Sequence, residues 1–292
     1  PYKENFSLNK SGAVALFVND VIKYSPQKKN IFVYGKTDET NYLDNNYVNL
    51  NFKEKFLKSN SKVYINNFLN HEKKINSDII EVHNRPAYID LISKNTKSKI
   101  ILYFHNDPLS MNGSKTLEER NNLLSIVDHF IFNSKWSLNR FKIGIKDADL
   151  FKNNFSVIYQ SVSKPKIDFN KKKKIISFIG KLNKAKGYDV FAKSIVKILD
   201  KHKDWKAIII GDEKREKISL KHKNVSILGF KKHNEVIEIF KKTSITVACS
   251  RWEEPFGRTS LEASANGCAV IITNKGGLPE TVTDAKILQN LN

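Results

Sequence analysis

The sequence contains few of the residues that mark secreted or membrane proteins. Cys249 and Cys268 are the only two cysteines among 292 residues. Both have apolar sequence neighbours, so we interpret them as small core residues in a reducing compartment and not as a disulfide. The longest apolar runs, such as 13–18 and 100–104, are far too short to cross a bilayer, and no signal peptide is visible. These absences favour a cytoplasmic protein.

The sequence also lacks the signatures of nucleic-acid binding, although its formal net charge is +20. The lysines are scattered, and the densest run, 171–174, falls in a predicted linker and is expected to be solvated. No arginine-rich recognition helix, zinc pattern or aromatic RNA-binding signature is present. No nucleic-acid partner is therefore expected, and a basic nucleic-acid-binding protein stays only as an alternative. The basicity favours peripheral contact with anionic lipid at the inner face of the cytoplasmic membrane.

The length of 292 residues suggests two domains. Short apolar runs alternate with helical patterns throughout, which predicts an α/β fold with two Rossmann-like β/α/β domains. The stretch 160–170 is polar and aperiodic and contains Pro165. We therefore predict domains at 1–162 and 163–292. Strands are predicted at 31–34, 78–82, 99–104, 129–132, 155–159, 175–179, 207–210, 225–228, 245–249 and 269–272. Helices are predicted at 11–24, about 52–75, 136–143, 188–199, 234–240 and 257–266.

Two carboxylates near the end of the chain need an explanation. Glu254 lies in the turn before a helix, and Glu262 lies inside that helix among small and apolar residues. A carboxylate in such a place is costly to bury unless strong donors satisfy it. Ligand hydroxyls are suitable donors, since one ionised carboxylate can accept two vicinal hydroxyls. The alternative is that Glu254 caps the helix and Glu262 pairs with a nearby lysine.

The start of the same helix favours a phosphate. Its first residues present backbone N–H groups at the positive pole of the helix dipole. These residues are Phe256, Gly257, Arg258 and Thr259. One segment could therefore offer an acceptor for sugar hydroxyls, a phosphate cradle and an acceptor for ribose hydroxyls.

The motifs of this segment resemble those of one enzyme family. They are E-P-F-G-x-x-x-L-E-A from Glu254, the E-x7-E spacing to Glu262, and N-G-C-A-V-I-x-T-x-x-G-G-L-P-E from Asn266. The pattern is similar to family 4 of the retaining glycosyltransferases. The resemblance implies the GT-B fold, with two Rossmann-like domains facing a cleft. It also implies transfer of a sugar from a UDP-, GDP- or ADP-sugar donor, without a metal.

The resemblance extends to further site residues. Segment 180–187 is not a Walker loop, but it resembles the family's G-R-L-x-x-x-K-G, with Lys181 in place of arginine and Lys186 at the usual lysine. Both lysines are expected at the donor diphosphate. Gly12 corresponds to the glycine-rich loop near donor phosphates or acceptor, and Gly229 lies at a strand end that admits the nucleobase. His105 ends the strand whose histidine, in the family, contacts the sugar or a backbone carbonyl. His83 and Arg85 are weaker candidates.

The expected chemistry follows from the charges. Breaking the sugar–phosphate bond builds negative charge on the diphosphate, which the two lysines and the N–H groups at Gly257 would stabilise. Glu254 would hold the donor sugar and Glu262 the ribose. No covalent nucleophile stands out, and the resemblance favours front-face attack by the acceptor hydroxyl. No His/Asp/Cys cluster has metal-ligand spacing, which agrees with a metal-independent enzyme.

The leading hypothesis is a retaining glycosyltransferase that acts on a cell-envelope glycan or glycolipid such as lipopolysaccharide core. A nucleotide-sugar epimerase or a phosphorylase of the same fold is the enzymatic alternative. Compared with the family, the sequence is expected to lack the first strand and the final helices.

Overall fold

The computed structural model describes residues 4–52, 59–146 and 154–291. The chain divides into two compact units, Pro1–Tyr159 and Gln160–Asn292. Each unit has its own parallel sheet and its own hydrophobic core. The division lies in the irregular stretch 158–168, which also contains the boundary predicted from the sequence.

The first unit is built around a sheet of four parallel strands in the order β3-β4-β5-β6, and β1 and β2 form a separate parallel pair. Its strands are β1 Val33–Gly35, β2 Tyr47–Asn49, β3 Ile79–His83, β4 Lys99–Phe104, β5 His129–Phe132 and β6 Phe155–Val157. Its helices are α1 Ala13–Tyr24, α2 Asn60–Ile75, α3 Ile89–Ser93, α4 Leu117–Ile126 and α5 Lys135–Lys142.

The core of the first unit explains why β4 and β5 could be predicted from the sequence. Phe104 and Phe132 are fully buried and stack with ring centroids 5.4 Å apart, and both lie against Phe141 of α5. Parallel strands that are buried on both faces consist of nearly continuous apolar residues. A continuous apolar run therefore indicates both that a strand is present and where it begins and ends.

The second unit contains a parallel sheet in the order β12-β11-β10-β7-β8-β9. Its strands are β7 Lys173–Ile179, β8 Lys206–Ile210, β9 Val225–Ile227, β10 Thr243–Ala248, β11 Ala269–Thr273 and β12 Lys286–Leu288. Its helices are α6 Tyr188–Lys201, α7 His233–Lys242 and α8 Arg258–Ala265. This is the Rossmann strand order, which reverses between β7 and β10. Ligands bind such sheets outside the carboxyl ends of the strands at the point of reversal.

The predicted α/β class with two Rossmann-like sheets is confirmed. Strands 99–104 and 129–132 have the predicted bounds, whereas the strand predicted at 31–34 begins at Val33. The sequence missed β2 and β12, because each has only three residues and is defined by its pairing with a neighbour. The helix predicted over 52–75 begins at Asn60, and residues 53–58 lie outside the described ranges.

The prediction that 171–174 is a solvated linker is wrong for Lys172. Its ammonium donates hydrogen bonds to the carbonyls of Phe240, Thr243 and Asn266, at 2.9, 2.8 and 2.7 Å. Three carbonyls satisfy the three donors of an ammonium. The residue therefore joins the ends of α7 and α8 to the start of β10. Burial lowers the pKa of Lys172 from its ordinary value.

Both cysteines are free and buried, as the sequence predicts. Burial raises the pKa of the Cys249 thiol to about 11. Within the described ranges, none of the helices is both long enough and apolar enough to span a membrane.

Candidate active site

Two loops meet at the point where the strand order of the second unit reverses. One follows β7 and ends at Gly187, and the other follows β10 and runs from Cys249 to Gly257. Gly187 has φ 74°, and a Cβ there would lie 1.8 Å from the carbonyl oxygen of Cys249. The Ala185 carbonyl also accepts hydrogen bonds from Arg251 N–H and Trp252 N–H. The two loops are therefore fixed against each other by backbone contacts that only glycine permits at residue 187.

These loops bring together Lys186 and Glu254. The Lys186 ammonium is 2.5 Å from Glu254 Oε1 and lies 4.8 Å from the centroid of the Trp252 ring. The sequence assigned Lys186 to the diphosphate and Glu254 to the sugar, and the structure places them in one ion pair. An ammonium has three donors and a carboxylate has several acceptor positions. Each partner can therefore bind a ligand while the pair persists.

The backbone of Glu254 is held by the glycine pair after β11. Gly277 N–H donates to Glu254 O at 2.6 Å, and a Cβ on Gly276 would lie 2.2 Å from that oxygen. The N-cap of α8 is Gly257, and in the described part of the chain the Glu254 carboxylate contacts Lys186 and no backbone N–H. The alternative in which Glu254 caps the helix is therefore wrong.

Glu262 is buried and accepts two donors on one oxygen. Arg258 Nε and His233 Nε2 lie 2.8 and 2.9 Å from Glu262 Oε1. The alternative that Glu262 pairs with a lysine is therefore wrong, because its partners are an arginine and a histidine. No donor in the described ranges bonds to the second oxygen, Oε2. His233 begins α7 and was missed, because only the packing of α7 against α8 brings it to Glu262.

The predicted phosphate cradle lies at the start of α8. Gly257 has φ 128°, and the first backbone bond of the helix runs from Ser260 N–H to Gly257 O at 3.0 Å. Phe256 is 4 % exposed, so its ring belongs to the core. Arg258 directs its guanidinium to Glu262, and Thr259 is partly buried. An anion at this segment would therefore be bound by backbone N–H groups and stabilised by the helix dipole.

In the part of the chain that the structure describes, two other predicted residues of the second unit make no hydrogen bond or ion pair with Lys186 or Glu254. Lys181 is exposed, and within the described residues its ammonium makes no hydrogen bond or ion pair. Gly229 follows β9 with φ 65°, and its carbonyl accepts from Gly211 N–H at 2.9 Å. The structure therefore brings Lys186, and not Lys181, to Glu254.

In the first unit, His105 lies at the carboxyl edge of the sheet, and its backbone is held from both sides. Asn84 Oδ1 accepts from His105 N–H at 2.7 Å, and Asn133 Nδ2 donates to His105 O at 2.8 Å. The two asparagines directly follow β3 and β5. Burial, followed by the charge of neighbouring His83, lowers the pKa of His105 well below its ordinary value. The sequence offered no signal for Asn84 or Asn133 beyond their positions after strands.

Gly12 precedes α1 and faces a carboxylate of its own chain. A Cβ on Gly12 would lie 2.5 Å from Glu4 Oε1, and Ala15 N–H donates to the same oxygen at 3.4 Å. The predicted ligand position at this helix start is therefore occupied by Glu4. Arg85 bonds its neighbour, with Nη1 2.7 Å from Asn84 O.

The second unit matches a known family. Residues 160–290 match the family described as Glycosyl transferases group 1. A putative glycosyltransferase of Bacillus subtilis, YtcC, is 28% identical over 235 residues, which cover 70% of this chain and 57% of that protein. The lipopolysaccharide core biosynthesis mannosyltransferase LpsB of Rhizobium meliloti is 31% identical over 121 residues, 38% of this chain and 34% of that protein. The alignments thus span only about a third to three fifths of these two relatives.

The fold of the whole chain has a counterpart among solved structures. The Anabaena protein HepE, in complex with UDP and glucose, superposes with a TM-score of 0.73 at 15% identity, covering 100% of this chain and 85% of that chain. At this identity the likeness concerns the fold. Residues 160–290 thus match the family described as Glycosyl transferases group 1, and the chain has the GT-B fold.

Proposed function

We propose that this chain is a metal-independent retaining glycosyltransferase of family 4, which moves a sugar from a nucleotide diphosphate to a hydroxyl of a cell-envelope glycan or glycolipid. One observation carries the proposal. At the point where the strand order reverses, two carboxylates are each held by cationic side chains, on either side of a helix start. Fixed carboxylates suit hydroxyl ligands, and the helix start suits a phosphate.

In this proposal each group acts on one part of the donor. Lys186 and the backbone at the start of α8 bind the diphosphate, whose negative charge grows as the C1–O bond breaks. Such preorganised donors contribute most when they face the charge of the transition state. Glu254 accepts hydroxyls of the donor sugar while it keeps Lys186 in place. Glu262 accepts ribose hydroxyls through Oε2, since Arg258 and His233 already bond to Oε1.

In this proposal the sugar is transferred without a covalent enzyme intermediate. The acceptor oxygen bonds to C1 on the face that the diphosphate leaves, and the acceptor proton passes to the leaving phosphate oxygen. A lipopolysaccharide-type acceptor is favoured by the name of the LpsB relative, and a uridine donor by the UDP bound in HepE. GDP- and ADP-sugars are the other donor candidates.

The test separates Lys186 from Glu254. Lys186→Ala is expected to lower kcat about 10²–10³-fold, as for loss of one oxyanion-type donor, and to weaken binding of the bare nucleoside diphosphate. Glu254→Gln is expected to lower kcat while it leaves the affinity for the bare nucleotide nearly unchanged, because the nucleotide has no sugar for it to bind. Lys184→Ala, at an exposed lysine of the same loop, is the control.

Affinity is measured by titration with UDP, GDP and ADP, and turnover by release of nucleoside diphosphate with and without EDTA. Equal loss of bare-nucleotide affinity in both site variants would contradict the assignment of Glu254 to the sugar. Activity that EDTA abolishes and Mg²⁺ or Mn²⁺ restores would contradict the metal-independent mechanism.

A further inference from the structure

A second ion pair joins the part of the chain around Lys186 to the part around Glu254. Arg251 Nη1 and Nη2 lie 2.5 and 3.0 Å from Asp189 Oδ1 and Oδ2, so the contact is bidentate. Asp189 lies in the first turn of α6, three residues after Lys186. Arg251 lies three residues before Glu254. The two ion pairs therefore join the same two segments, and each segment supplies one cation and one anion.

Arg251 also holds the short turn that ends at Lys186. Its Nη1 donates to Lys184 O at 2.9 Å, and its backbone N–H donates to Ala185 O at 2.9 Å. Ser250 Oγ donates to the same carbonyl of Ala185 at 3.1 Å. These two carbonyls belong to the 3₁₀ turn whose last residue is Lys186. The backbone of Lys186 is therefore placed by contacts with the loop that contains Glu254.

The Arg251–Asp189 pair is only partly shielded from water. Its side chains are 40% and 19% exposed, and a pair with such access to solvent contributes little to stability. Hydrogen bonds from Arg251 lower the pKa of Asp189 from its ordinary value, which favours the ionised partner. A bidentate guanidinium contact also fixes the relative orientation of the two groups. The main effect of this pair is therefore expected on geometry and not on the stability of the second unit.

We propose that Arg251 and Asp189 are positioning residues that hold Lys186 against Glu254 while the donor binds. In the proposed function, Lys186 and Glu254 share their hydrogen-bonding groups with the ligand, which weakens the bond between them. Arg251 and Asp189 bind no part of the donor there, so their contact keeps the two loops at the same separation. The role toward a donor rests on the proposed function, whereas the placement of Lys186 rests on the contacts between the loops.

Acylation of the lysines by acetic anhydride, in the whole chain without ligand, tests the placement of Lys186. The anhydride reacts with the neutral amine, so an ammonium held by a carboxylate reacts slowly, whereas Lys181 is exposed and serves as the fast reference. Mass spectrometry of the peptides follows each lysine. In Asp189→Asn and Arg251→Gln, Lys186 should react about fivefold faster than in the parent, which corresponds to the loss of one partly exposed ion pair.

Two controls separate positioning from a loss of structure. Lys172, whose ammonium is bonded to three carbonyls, should react equally slowly in the parent and in both variants. Asp204→Asn, which breaks another exposed ion pair of the second unit, should leave the Lys186 rate unchanged. An unchanged Lys186 rate in both variants would overturn the proposal, and so would a rise at Lys172 that matches the rise at Lys186.

Turnover of UDP-, GDP- and ADP-glucose tests the same role in the proposed reaction. Asp189→Asn is expected to lower kcat by about 10-fold or more, because a small misplacement of a catalytic group is costly. In a Lys186→Ala background the same change should cause no further loss, because Asp189 acts through Lys186. Equal losses in both backgrounds would contradict that route. A chain that turns over no sugar nucleotide would contradict the proposed function, but the acylation rates would still decide whether Asp189 and Arg251 position Lys186.

Discussion

At the scale of single residues, Glu262 shows how a buried carboxylate can be satisfied and still bind a ligand. Its oxygen Oε1 takes both Arg258 Nε and His233 Nε2. A buried carboxylate without partners would cost several kcal/mol. Two donors on one oxygen remove most of that cost and fix the rotamer, so Oε2 is presented in a defined place.

Glu262→Gln is expected to weaken nucleoside diphosphate binding by about 1–3 kcal/mol, as for the loss of a charge-assisted hydrogen bond. The amide oxygen of glutamine can still accept from Arg258, so the helix should persist. Calorimetric titration with UDP, GDP and ADP measures the loss. Glu238→Gln, at an exposed ion pair on α7, is the control. Nucleotide affinity equal to that of the parent would contradict the ribose assignment.

At the scale of elements, glycines allow the two site loops of the second unit to touch. Gly187 and Gly229 both have positive φ, at 74° and 65°. They differ in their surroundings, because a Cβ on Gly187 would overlap the Cys249 carbonyl, whereas nothing lies within 4 Å of a Cβ on Gly229. An alanine at residue 229 would lose stability only through backbone strain. An alanine at residue 187 would lose stability through the same strain and also through a steric clash with the Cys249 carbonyl.

Gly229→Ala is expected to lower stability by about 1–2 kcal/mol, the cost of a left-handed alanine. Gly187→Ala must also push the loops apart, so its loss should exceed that of Gly229→Ala by about 2 kcal/mol or more, as for an overpacked core. Thermal melting of both variants measures the difference. Equal melting temperatures would show that the two loops are not in close contact at Gly187.

Lys172 acts on the same scale, because its ammonium joins three elements by their carbonyl groups. The carboxyl ends of α7 and α8 carry the negative pole of each helix, which favours a cation. Burial opposes the charge and lowers the pKa of Lys172. Three charge-assisted bonds outweigh that penalty.

Lys172→Met is therefore expected to lower the melting temperature by about 6–12 °C, which corresponds to about 3 kcal/mol. Lys171→Met removes an exposed lysine paired with Asp168 and should change the stability by less than about 0.5 kcal/mol. Similar melting temperatures for the two variants would contradict the structural role of Lys172.

At the scale of the whole molecule, the buried His105 links stability to pH. Burial and the neighbouring His83 lower its pKa well below the ordinary value of 6.5. Between the folded and the unfolded pKa, the unfolded chain binds more protons than the folded one. This part of the stability is therefore fully present above about pH 6.5 and is lost as the pH falls through the folded pKa.

The unfolding free energy of the first unit should fall below pH 6.5, with a slope of up to about 1.4 kcal/mol per pH unit from this one group. His105→Phe should flatten that slope, and His202→Gln, at an exposed histidine, should leave it unchanged. Chemical denaturation at several pH values between 7 and 5 measures the slopes. The same slope in His105→Phe and the parent would contradict a neutral, buried His105.

The α/β class and most of the strands could be predicted from the sequence alone, and so could Lys186, Glu254 and Glu262 as candidate site residues, whereas His233 could not. Buried parallel strands are continuous apolar runs, and the motif around Glu254 and Glu262 spans neighbouring residues. The strands and the motif can therefore both be recognised in the sequence. Which side chains meet depends on how the elements pack. The Lys186–Glu254 pair joins residues 68 positions apart, and His233 reaches Glu262 across 29 positions. The contact between His83 Nδ1 and His105 Nε2, at 2.8 Å, depends on the register of β3 against β4. Such contacts come from packing and strand pairing, which leave no local pattern in the residues that make them.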